Sequence, residues 1–366
     1  MRRSILMACA LLGALATLAG CASATATAPH PAPTATSVPT TSLSWREVAM
    51  PSGVSLKDNT YLSAAPSPAH VVWACVALSR QQFAIWALRA PGGTWQHSGM
   101  ISPSVPPLDG RCVPIADQID PHTLAVVFST VADGDVAYGT TSYISTDDGA
   151  HWQQVGDKIA VTEMAEVGGH TIAVLSDTSV PPGTAGLVIS RDHLRTWTNV
   201  GMPQAEASQI TRFWLNSTGE MLAGTRNFLW RSSNSGMTWV HAPGYSFGAD
   251  YVVWLPSAHI WRMCHETGVM SGEISCTDDL GKSWEQSPQV GLQTCQFNFM
   301  TANGDAFMYC PTATGQKGWL MTLPLIARQW VDLGPAPGLV LAAWDDGTLW
   351  SLDGQAGNLY TTTLTA

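Results

Sequence analysis

Ser145-Thr146-Asp147-Asp148-Gly149-Ala150-His151-Trp152 decides the fold of this chain, because its spacing, Ser-x-Asp-x-Gly-x-x-Trp, returns three more times. Thr277, Asp279, Gly281 and Trp284 repeat it with Thr for Ser, and Ser232, Asn234, Gly236 and Trp239 repeat it with Asn for Asp. Ser190, Asp192 and Trp197 keep the frame, with Leu194 in the glycine position. Each part of the pattern has a local physical task. The third-position Asp can accept hydrogen bonds from backbone N–H groups of its own turn, Gly permits a positive φ, and Trp packs its ring beneath the bend. A buried Trp covers about 150 to 250 Å², so such a turn stabilises its hairpin by roughly 4 to 6 kcal/mol gross, before entropy. These residues are read as structural.

With the frame known, worn copies emerge: Gly92-Gly93-Thr94-Trp95, Gln329-Trp330 and Ser44-Trp45. The seven Trp at 45, 95, 152, 197, 239, 284 and 330 are separated by 50, 57, 45, 42, 45 and 46 residues. That period is the length of one four-stranded propeller blade. After each Trp a short strand runs toward Gly or Pro, read as a turn in Trp95 to Gly99, Trp152 to Gly156, Trp197 to Gly201 and Trp330 to Gly334, so each Trp opens an outermost strand. Between Trp197 and Trp239 the remaining three strands read as Gln209 to Leu215, Glu220 to Gly224 and Phe228 to Ser232. No helix-period segment of useful length competes.

The repeat resembles the Asp-box, or bacterial neuraminidase repeat, and the resemblance covers residues 42 to 366. It implies an all-β propeller of four-stranded antiparallel blades. The chain ends set the blade number. Leu339 to Trp344, Thr348 to Leu352 and Leu359 to Leu364 are three strands lacking a fourth, while Ser44 to Val48 is a fourth strand lacking its three. Pairing them completes a seventh blade and removes open sheet edges, with six and eight blades as the alternatives.

Ahead of this body, Arg2 and Arg3 followed by the apolar run Ile5 to Ala19 read as an export signal too short to span a bilayer. Leu18-Ala19-Gly20-Cys21 resembles the lipobox of bacterial lipoproteins, which implies cleavage before Cys21 and its diacylation. Two acyl chains give stable membrane anchoring. Residues 22–41, almost all Ala, Thr, Pro or Ser, cannot bury apolar surface and are read as a tether reaching up to roughly 60 Å. The expected organisation is thus 1–20 signal peptide, 21–41 lipidated tether and 42–366 propeller, displayed outside the cytoplasm.

Six further cysteines form an even set in an exported chain, which favours disulfides. Cys295 and Cys310 flank the turn Ala302-Asn303-Gly304-Asp305 with nearly equal arms, Cys264 and Cys276 bracket Thr267 to Gly272, and elimination leaves Cys75 with Cys112. Buried free thiols are the alternative. Seventeen basic against 27 acidic residues, net charge -10, argue against nucleic acid as a partner. The chain is expected to act as a monomer, without cofactor or metal.

Asp-box propellers include sialidases, xyloglucan hydrolases, sortilin-type receptors and photosystem II assembly factors, so the resemblance specifies fold rather than activity. In sialidases the boxes lie away from the catalytic pocket, which implies that Asp147, Asp192 and Asp279 are not catalytic. No arginine triad aligns: the nearest match to the family's early motif, Leu88-Arg89-Ala90-Pro91, falls in a worn box. Gly281-Lys282-Ser283 only imitates a phosphate loop, His265-Glu266 lacks the second His of a zinc protease, and no Gly-x-Ser-x-Gly elbow occurs. Loops opposite the boxes supply the candidate ligand face: Arg111, Glu163, Glu206, Arg212, Arg226, Tyr245, Asp250 and Glu266. Their mixed charge suits a protein or glycan partner, and a non-enzymatic binding or assembly role is favoured over a sialidase-like glycoside hydrolase.

Overall fold

A computed structural model describes residues 43–364 apart from 52–53, 55–59, 65–68, 105–106, 108–111, 129–130, 133–135, 138–139, 158, 178–185, 193, 217, 225–227, 243–250, 268–272, 289–294, 302, 312–317, 326–328, 345 and 354–355. Cys21, the signal and the tether therefore lie outside the described residues.

Seven four-stranded antiparallel sheets follow one another along the chain. From the innermost strand outward, blade one comprises Thr60–Ala64, Val72–Ala77, Phe83–Leu88 and Gln96–Ile101. Blade two comprises Val113–Ala116, Leu124–Phe128, Thr141–Ser145 and Gln153–Asp157, with a small hairpin, Val131–Ala132 against Val136–Ala137, between its second and third strands. Blade three is Ile159–Val167, His170–Asp177, Gly186–Ser190 and Thr198–Asn199. Blade four is Arg212–Leu215, Met221–Gly224, Leu229–Ser232 and Val240–His241. Blade five is Tyr251–Leu255, Ile260–Glu266, Ile274–Thr277 and Glu285–Gln286, and blade six is Gln296–Met300, Ala306–Pro311, Gly318–Leu323 and Val331–Ala336. Among the described residues the one helix is the single turn Gln204–Ala207 between blades three and four. None is long and apolar enough to cross a membrane.

Blade seven joins the two chain ends. Leu339–Ala343, Thr348–Asp353 and Asn358–Thr363 receive Arg46–Val48 as their outer strand, with Arg46 opposite Thr361 and Val48 opposite Leu359. The residues just before it bridge to blade six: the Leu43 N–H donates to Leu333 O at 3.2 Å and Trp45 Nε1 donates to Pro335 O at 3.1 Å. Innermost strands touch in order around the ring, including that of blade seven against that of blade one.

The core is divided among the blade junctions. Trp73, Phe83 and Ile85 of blade one meet Leu124, Val126 and Phe128 of blade two, and a comparable buried cluster occupies each of the other six junctions. The recurrent Trp side chains belong to these junctions. Trp95, Trp152, Trp197, Trp239, Trp284, Trp330 and Trp45 each pack into the cluster shared with the preceding blade, rather than closing only their own hairpin. Each junction thus takes one Trp of the repeat, which explains why that indole recurs with the blade period.

Three disulfides reinforce this body: Cys75–Cys112, Cys264–Cys276 and Cys295–Cys310. The first ties blade one to the entry of blade two, and the other two share the junction between blades five and six. Such bonds fit an oxidising, extracytoplasmic setting.

One group of turns expected from glycine is corrected. Gly99, Gly156 and Gly334 lie inside outer strands, whereas Gly201, at φ 81°, does bend the chain just after its strand. Gly99 is needed for close approach instead: a Cβ there would collide with the Gly149 carbonyl of the next blade.

Candidate functional site

The four repeat turns share one hydrogen-bond scheme. Ser145 Oγ donates to Asp147 Oδ1 at 2.9 Å and accepts the Gly149 N–H at 2.8 Å. Ser190, Ser232 and Thr277 do the same with Asp192 and Leu194, Asn234 and Gly236, and Asp279 and Gly281. The third-position oxygen then accepts the N–H four residues on, from His151, Thr196, Thr238 or Ser283, at 2.9 Å each. Those four side chains complete the turn: His151 Nδ1 lies 2.6 Å from Asp147 Oδ2, Thr196 Oγ1 and Ser283 Oγ donate to their Asp, and Asn234 Nδ2 donates to Thr238 Oγ1. The sequence reading missed this position, although a polar residue precedes the Trp in all four copies.

These bonds set the charge of the turns. The Thr196 hydroxyl and N–H hold Asp192 down at about 2, and the Ser283 hydroxyl and N–H likewise hold Asp279 well below the carboxylate range. For Asp147, burial pushes upward but the His151 N–H and imidazole and the Ser145 hydroxyl outweigh it. Leu194 adopts φ 69°, a left-handed conformation that Gly149, Gly236 and Gly281 reach at φ 79 to 88° without a side chain.

Of the candidate ligand-face residues, Arg111, Arg226, Tyr245 and Asp250 lie outside the described residues. Glu206 sits in the short helix and accepts Trp230 Nε1 at 2.9 Å. Arg212 is exposed at the start of the innermost strand of blade four, and Glu266 ends the second strand of blade five. Glu163 is corrected from loop to strand: it lies within Ile159–Val167, next to a register shift between Val161 and Glu163. A bulge of this kind re-aims a side chain without any marker in composition. There Glu163 Oε2 accepts the Phe213 N–H of blade four at 2.8 Å.

Two further residues, unremarked in the sequence, join Glu163 at the inner wall. Gln118 crosses blade three: its N–H donates to Met164 O at 3.1 Å and its Nε2 to Phe213 O at 3.2 Å. Asp117, fully buried, accepts the N–H groups of Ile119 and Asp120 on Oδ1 at 2.8 Å each. Burial pushes Asp117 up to about 7 against those N–H groups. It also pushes Glu163 up to about 7, against the Phe213 N–H and the Arg212 charge, although Glu163 keeps some accessible surface. Two carboxyls that hold protons near neutrality thus brace blades two to four. Among the described residues, no group of three or more His, Cys, Asp or Glu side chains could hold a metal ion.

No protein-family model matches the sequence, and no curated protein matches it. Solved structures do. YCF48 bound to D1 peptide superposes with TM-score 0.52 at 12% identity, covering 90% of this chain and 100% of that one. The likeness is one of fold. YCF48 from Cyanidioschyzon merolae gives 0.51 at 10% identity over 87% of this chain and 98% of that one. A chain of the mitotic checkpoint complex gives 0.50 at 12% identity over 93% and 97%. Proteins of different function share this ring, so the propeller architecture is common ground and activity is not.

Proposed function

We propose that this chain is an extracytoplasmic, lipid-anchored Asp-box propeller that binds a protein or glycan partner on the face away from its repeat turns, without turnover. The observation that carries this reading is the use made of the candidate carboxylates. Glu163 and Glu206 accept bonds from the Phe213 N–H and the Trp230 indole, and so serve as ties between structural elements rather than groups poised on a substrate. The disulfides support the compartment, and Cys21 supplies the anchor. That YCF48 has been solved with a peptide is a property of that protein, but it fits a propeller of this size presenting a peptide-sized face.

Residues 42–366, offered fluorogenic sialosides and neutral glycosides, are expected to release no fluorophore, while peptide and glycan arrays give saturable binding. Turnover abolished by substitution of one carboxylate would replace this reading with that of a glycoside hydrolase.

A further inference from the structure

Met237 stands in the repeat turn of blade four, at the place that Ala150, Arg195 and Lys282 fill in the other three copies. It is 44% exposed, as Met100 on the outer strand of blade one is 41% exposed, whereas Met164, Met202, Met221, Met263, Met308 and Met321 are buried. The turn that carries it is fixed. The Met237 N–H donates to Asn234 O at 3.2 Å, and its carbonyl lies 3.4 Å from where a Cβ on Gly201 of blade three would stand. Blade three also supplies a donor. Arg191 directs one guanidinium nitrogen to Met237 Sδ at 3.4 Å and the other to Thr198 Oγ1 at 3.3 Å. Among the described residues, no other methionine sulfur accepts a hydrogen bond. A thioether is a weak acceptor, so the guanidinium gains little from it. A sulfoxide oxygen at the same place is polar and a far better match for a charged donor.

We propose that Met237 is a site of reversible oxidation by hydrogen peroxide, and that Arg191 receives the oxygen it gains. In the step a sulfur lone pair attacks one peroxide oxygen, the O–O bond breaks as the S–O bond forms, and the other oxygen takes up the proton and leaves as water. Sulfur gives up two electrons and the peroxide accepts them. Arg191 covers one of the two sulfur lone pairs, so the oxygen enters at the other and one sulfoxide epimer forms in excess. The guanidinium then turns from the sulfur to the new oxygen, and a weak contact between blades three and four becomes a charge-assisted one. Oxidation of a buried methionine disrupts the core around it, whereas at Met237 the product tightens a junction. The site lies among the repeat turns, so it does not depend on what the opposite face binds.

The test exposes the full chain to graded hydrogen peroxide and maps each methionine by mass spectrometry after proteolysis. Met237 and Met100 are expected to gain an oxygen before the six buried methionines do. A Met237 still unoxidised once Met100 is converted would overturn the site. In a Met100→Leu background, oxidation should raise the melting temperature by about 1 to 2 °C, the shift that one added hydrogen bond gives a chain of this size. Arg191→Gln and Met237→Leu, each in the same background, should both lose that rise. The two sulfoxide reductases, each specific for one epimer, should consume the Met237 product unequally in the parent and equally in Arg191→Gln. No rise in the Met100→Leu chain, the same rise in Arg191→Gln, or equal shares of the two epimers in the parent would overturn the proposal.

Discussion

Glu163 Oε2 of blade three accepts the Phe213 N–H of blade four, and Gln118 of blade two reaches the carbonyl of that same Phe213. Because Glu163 and Asp117 are both pushed up to about 7, the folded chain holds two protons that the unfolded chain releases in the ordinary carboxylate range. Between those limits the native state binds more protons, so stability falls as pH rises. Asp147, Asp192 and Asp279 act in the opposite sense, and their stabilisation is lost as pH falls below the ordinary range. The melting temperature is expected to be higher at about pH 5 than at about pH 8. Glu163→Gln and Asp117→Asn, which keep the acceptor oxygens, should shrink that difference, and an unaltered pH profile in both would refute the assignment.

Trp239 is buried at the junction of blades three and four and donates Nε1 to Gly236 O at 2.9 Å. Trp239→Ala should cost about 3 to 5 kcal/mol through the cavity left behind. A thermal or denaturant melt reads the loss directly, and a melting temperature equal to that of the parent would separate the repeat from stability.

Gly99→Ala should destabilise the chain by about 1 to 3 kcal/mol, since the added methyl meets the Gly149 carbonyl backbone of the next blade. The same change at Gly169, where a Cβ would meet nothing within 4 Å, carries only the strain of its φ of 79°. Denaturant melts should therefore rank Gly99→Ala as the more damaging of the two.

Cys21→Ser should release the protein from membranes into the soluble fraction. Continued sedimentation with membranes after carbonate washing would remove the lipid anchor from the proposal.

The blade count was legible because the determinant is periodic: Trp at blade spacing, with an orphan fourth strand at one end and three unmatched strands at the other. What stayed hidden was set by contacts between distant residues. Gly99 reads as a turn until Gly149 is seen against it, and Glu163 reads as a loop residue until the bulge beside Val161 is seen to aim it at Phe213. Asp117 and Gln118 lie in an unremarkable turn whose role depends on the third and fourth blades. The polar residue before each Trp, by contrast, was visible in every copy, and only the hydrogen-bond scheme reveals its purpose.

The pairing of Arg46 with Thr361 also orders events in time. Arg46–Val48 leaves the ribosome long before Asn358–Thr363 and must wait, without its partner, until that last stretch of the ring has been synthesised. A contact so remote in sequence makes closure slow. Until then the Asn358–Thr363 edge of blade seven stays unpaired, which is when such a chain most needs protection from its neighbours.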